Sequence, residues 1–100
     1  MKPPYKLVVD QMEDDDFFHI TFDNGINIVV DVREDFLTFS SKNEQYIDAV
    51  ADLVDMYPVY QWHKEGDIFG KYTRVVVQLP RYTNPLDFFP KEFFEAISQL

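Results

Sequence analysis

From Tyr5 to Ser40, apolar and polar positions alternate with the period of two that marks strands buried on one face. Tyr5, Leu7 and Val9 share one face of a first strand reaching Gln11, with Lys6 and Val8 on the other. Phe17–Phe22 and Ile26–Val32 flank Asp23-Asn24-Gly25, a hairpin signal. A two-residue Asn-Gly turn would pair Phe22 with Asn27 and Phe18 with Asp31, mixing the faces. A three-residue loop with Gly25 in the left-handed region pairs Phe22 with Ile26, Ile20 with Ile28 and Phe18 with Val30, which gives one wholly apolar face. Because a one-residue slip exchanges the faces, the three-residue loop is the expected one. The opposite face holds His19, Thr21, Asn27 and Asp31 with Phe17 and Val29, and is expected to be partly wet. Arg33-Glu34-Asp35 reads as a turn and Phe36–Ser40 as a short fourth strand.

The period then becomes helical. Asn43 suits an N-cap, and from Glu44 to Tyr57 the apolar residues Ile47, Val50, Leu53 and Val54 recur at helical spacing, widened by Tyr46, Ala51 and Tyr57. Pro58 pushes the residue before it out of the helical region and ends the helix. Val59–Lys64 and Tyr72–Leu79 form a second strand pair joined by Glu65–Lys71, with Val75, Val77 and Leu79 facing the core and Pro80 as the stop. Asn84-Pro85 starts a helical turn, and Pro90 restarts a last helix with Phe93, Phe94 and Ile97 on one face. The expected fold class is α+β. Residues 1–100 form a single acidic domain of order β-β-β-β-α-β-β-α, a mostly antiparallel sheet packed by two helices on one face.

Composition adds that 46% of the chain is hydrophobic and 17% aromatic, enough for one core and too much for a disordered acidic chain. Cysteine is absent, which excludes disulfides, thiolate metal sites and a cysteine nucleophile. The first residues show no apolar leader, and no run approaches the ~18 apolar residues of a membrane span. A cytoplasmic location is the expectation.

Charge changes the picture most. The net charge is −9, and residues 10–55 carry thirteen acids against Arg33 and Lys42, whereas residues 56–100 balance five acids with five bases. Nucleic acid and anionic membranes both need cations at the contact, so neither is an expected partner; a basic protein is.

Four groups of residues are candidates for chemistry. Glu44, Asp48, Asp52 and Asp55 fall on one face of the central helix at turn-like spacing. Like charges at that spacing destabilise a helix by roughly 0.2–0.5 kcal/mol per pair, and no Lys or Arg stands on the helix to offset them. One turn rises ~5.4 Å, comparable with the separation of successive phosphates on a nucleic-acid strand, so the row can imitate a phosphate backbone. The bland alternative is a solvated helix face. Glu13, Asp14, Asp15 and Asp16 form an acidic loop, but Phe17 and Phe18 stand where a calcium loop would need ligands and glycine. The loop is expected to be solvated or to extend the acidic binding surface. His19 and His63 lack metal-ligand spacing. Tyr57, Tyr60, Trp62, Phe69, Tyr72 and Tyr82 cluster after the acidic helix, where they could anchor a protein interface or pack the core.

No nucleophile-elbow, phosphate-loop, dinucleotide or zinc-protease motif occurs. The expectation is therefore a non-enzymatic inhibitor without cofactor or metal. It would occlude a basic, nucleic-acid-binding surface of an enzyme or toxin, as a phage anti-host or anti-defence protein, or as an immunity protein or antitoxin. The partner-binding candidates are Glu44, Asp48, Asp52, Asp55, Glu13, Asp14, Asp15, Asp16, Tyr57 and Tyr60. The competing reading is an accessory subunit whose acidity serves solubility alone.

Overall fold

A computed structural model describes residues 5–9, 17–31, 34–83 and 85–100. Its elements are β1 (Tyr5–Val9), β2 (Phe17–Phe22), β3 (Asn27–Asp31), β4 (Phe36–Ser40), α1 (Glu44–Asp55), β5 (Gln61–Gly66), β6 (Tyr72–Gln78), α2 (Pro85–Phe88) and α3 (Lys91–Ser98). The fold is α+β, as the periodicities predict. The described strands form one antiparallel sheet in the order β1-β2-β3-β4-β6-β5. The last hairpin therefore adds through its second strand, which leaves β5 at an edge.

The β2–β3 register is the one the apolar alternation requires: Phe18 lies opposite Val30 and Ile20 opposite Ile28. Gly25 takes φ +90°, where a side chain would be strained, and its N–H donates to the Phe22 carbonyl at 3.0 Å. The apolar row continues across the sheet from Ile20 through Ile28 and Phe39 to Val75, and a second runs from Val30 through Leu37 to Val77. All seven are buried on the helix side.

In α1, the Asn43 side chain accepts from the Gln45 N–H at 2.9 Å, and Ile47, Val50, Ala51 and Val54 are buried. In α3, Phe93 and Ile97 are buried, and Phe93 meets Phe39 edge-on at 5.9 Å. Both helices thus close over one face. On the other face, Thr21, Asn27 and His63 are exposed, and His19, Val29, Thr38 and Val76 are half-buried.

One long-range contact has no precedent in the local sequence pattern. Asn24, in the β2–β3 turn, donates from Nδ2 to the Ile97 carbonyl at 2.9 Å, while its Oδ1 accepts from the Ile26 N–H at 3.1 Å. The turn residue thereby caps the carbonyl end of α3.

Candidate functional site

The acidic row of α1 lies along the β5 edge of the sheet, and β5 and β6 supply most of its partners. The Tyr72 backbone N–H donates to Glu44 Oε2 at 2.8 Å. Lys64 Nζ reaches Asp48 Oδ1 at 3.1 Å, and the Trp62 indole N–H donates to Asp55 Oδ1 at 3.1 Å. Asp52 makes no hydrogen bond or ion pair with the described residues and acts on Lys64 only through space. The offset absent from the helix itself is therefore supplied by the neighbouring hairpin. The hydrogen bond from Lys64 to Asp48, aided by the charges of Asp48 and Asp52, raises the Lys64 ammonium above its ordinary range against a smaller opposing desolvation. Glu44 suits the positive N-terminal end of α1. Asp55 sits at the unfavourable end, and the Trp62 indole stabilises it there.

These contacts do not bury the row. The Asp48 side chain keeps 59% of its exposure, and Asp52 and Asp55 are also exposed. Carboxylates held on one side and open on the other are preorganised, which lowers the ordering cost of docking onto a cation.

The other candidates part company. Tyr57 belongs to the core: its ring meets Phe89 and Phe93 edge-on, each at 5.3 Å. Tyr60 is 70% exposed and stands at the entry to β5, its N–H donating to the Gln78 carbonyl. Glu13, Asp14, Asp15 and Asp16 lie outside the described residues. The strands that flank them, β1 and β2, form the sheet margin away from β5. Four to five strand spacings, ~19–24 Å, separate those strands from the acidic edge.

On the open face the Glu65 carboxylate pairs with the Arg74 guanidinium at 3.1 Å and accepts a hydrogen bond from the His63 ring at 3.0 Å. The hydrogen bond from His63, followed by the Arg74 charge, holds the Glu65 carboxyl below its ordinary range despite some desolvation. Near the start of α1 a shallow cleft of about 850 Å³ is lined by Asn27, Ser40, Lys42, Tyr46 and Arg74 among others. Its lining holds no carboxylate or histidine. Among the described residues no polar or charged side chain is buried, no group of three His, Asp or Glu could hold a metal ion, and no helix is long and apolar enough to cross a membrane.

No family model, curated protein or solved structure matches this chain.

Of the aromatic residues that follow α1, Phe69 stands at the tip of the β5–β6 hairpin beside Ile68, which no sequence motif singles out. Ile68 is 93% exposed and Phe69 86% exposed. The loop beneath them is tightly bonded: Asp67 Oδ1 accepts from the N–H groups of Phe69 at 2.9 Å and Lys71 at 3.0 Å, and Asp67 N–H donates to the Lys71 carbonyl at 2.8 Å. Gly70 takes φ +81°, and a Cβ on Gly66 would lie 2.9 Å from the Lys71 carbonyl oxygen. The signal was present in the sequence, since an Ile-Phe pair between Gly66-Asp67 and Gly70 sits inside a turn, where the fold cannot bury it.

Proposed function

We propose that this protein is a non-enzymatic binding protein whose α1–β5 edge occupies a basic surface of a partner, and that the partner surface is the nucleic-acid site of a nuclease, toxin or DNA-processing enzyme. The observation that carries the reading is the row Asp48, Asp52 and Asp55: exposed on one helix edge, two of its carboxylates fixed by Lys64 and Trp62. Such a row presents charge at turn-like spacing to a surface built for phosphates, and steering by a chain of net charge −9 speeds the encounter. Inhibition is by occlusion, so it needs no reacting group.

A specific observation favours a second reading. Glu44, Asp48 and Asp55 have a use inside the fold, tying α1 to β5 and β6. An accessory subunit could carry the same acids for that purpose and for solubility.

The two readings separate in a binding assay. The immobilised protein is challenged with a panel of purified nucleases and DNA-processing enzymes, with and without competing duplex DNA. Occlusion requires that a panel member binds at low salt, is displaced by DNA, and is lost to the variant Asp48→Asn/Asp52→Asn/Asp55→Asn. Asparagine keeps the acceptor oxygens used by Lys64 and Trp62 while removing the charge. No binding, or binding indifferent to DNA and to the variant, favours the accessory subunit.

A further inference from the structure

We infer that the β5–β6 hairpin tip is an apolar anchor, with Ile68 and Phe69 inserting into an apolar pocket rimmed by basic side chains on the partner protein. The inference rests on the acidic-edge reading and adds to it a second kind of contact.

Two large apolar side chains, 93% and 86% exposed, stand next to each other at a hairpin tip. Single exposed apolar residues are common on protein surfaces, whereas clustered ones mark contacts. Tyr72, at the base of the same tip, adds a second exposed ring at 40%. The bonded loop through Asp67 holds the pair ready, so little ordering is needed on docking.

The position of the tip indicates its occupant. The Tyr72 N–H bond to Glu44 joins the tip to the first carboxylate of the acidic row. From Glu44 to Asp55 and along the adjoining β5–β6 tip, five carboxylates (Glu44, Asp48, Asp52, Asp55 and Asp67) stand against two cations (Lys64 and Lys71). A pocket rimmed by basic side chains matches that surplus. An anionic membrane does not, and a second copy of this chain would bring the same surplus of acid against it.

The test uses the panel enzyme that binds the wild-type protein. Its dissociation constant is measured at low and high salt for wild type, for Ile68→Ser/Phe69→Ser, and for Asp48→Asn/Asp52→Asn/Asp55→Asn. The exposed tip predicts an unchanged melting temperature for the serine variant. It should bind roughly 30-fold more weakly or worse, the loss that truncating anchor residues gives, at both salt concentrations. The asparagine variant should instead lose most of the salt dependence. Wild-type affinity in the serine variant overturns the anchor and leaves the acidic edge standing if the asparagine variant still fails. Wild-type affinity in both, or no panel enzyme bound, overturns both readings. Tip-dependent self-association, or tip-dependent binding to phosphatidylcholine vesicles, assigns the pair another occupant and overturns the anchor.

Discussion

Tyr57 offers the sharpest separation of folding from binding. Its ring contacts Phe89 and Phe93 edge-on at 5.3 Å, and Phe93 in turn stacks on Phe89 at 4.0 Å. Tyr57→Ala removes two edge-to-face pairs, each contributing about 0.5–1.5 kcal/mol beyond area burial. Loss of a half-buried ring adds roughly 1 kcal/mol of transfer free energy. The total is about 2–4 kcal/mol, a melting-temperature drop of roughly 10–25 °C for a domain of this size. Tyr57→Phe keeps the ring pairs and should cost less than about 1 kcal/mol. Urea unfolding followed by circular dichroism and by the fluorescence of Trp62, the sole tryptophan in the chain, gives both values. If Tyr57→Ala unfolds like wild type but weakens partner binding, the ring is an interface anchor and its assignment to the core is wrong.

Asn24→Ala should cost about 1–2 kcal/mol by leaving the α3 carbonyl end without its donor. Asn24→Asp should cost more at neutral pH, because a carboxylate then faces those carbonyls, and the excess should shrink below pH ~4; thermal melts across pH read both. Gly66→Ala should loosen the hairpin tip, since its Cβ would meet the Lys71 carbonyl oxygen at 2.9 Å, and amide exchange at Ile68–Lys71 should quicken. The Lys64 bridge raises the ammonium's pKa, so its contribution is full below the ordinary lysine value of 10.5 and fades as pH climbs through the raised one. The stability gap between wild type and Lys64→Met should therefore close only in strong alkali. Glu65 has the opposite sign: its contribution is present above the ordinary 4.5 and is lost as pH falls through the lowered value, so the gap to Glu65→Gln should close in acid.

Strand alternation and one glycine made the β2–β3 hairpin legible to the residue, because slipping it would have turned Ile20, Ile28 and Val30 outward. Asn43 and the Ile47–Val54 stripe likewise marked α1. The helix ends at Asp55 rather than Tyr57 because Met56 and Tyr57 bond to carbonyls three residues back, Leu53 and Val54, tightening the last turn. β5 begins at Gln61 rather than Val59, whose N–H closes a tight turn onto the Tyr57 carbonyl at 2.8 Å. Partners distant in sequence were not legible. Asp48 finds its cation sixteen residues on, and Asn24 reaches a helix end seventy-three residues away. Local charge counting could place the acidic row on one helix face, but could not show that β5 would press against it. Nor could composition divide the tyrosines, since Tyr57 and Tyr60 differ by three positions and fall on opposite sides of the surface.

Asp52 is the cleanest probe of the central claim, being exposed, in mid-row, and without a hydrogen bond among the described residues. The measurement is the affinity of the bound panel enzyme for wild type and for Asp52→Lys, with melting curves alongside. The expected result is an unchanged fold and at least about tenfold weaker binding at low salt, with the difference shrinking as salt screens the edge. Equal affinities at every salt concentration would contradict a binding role for the acidic edge.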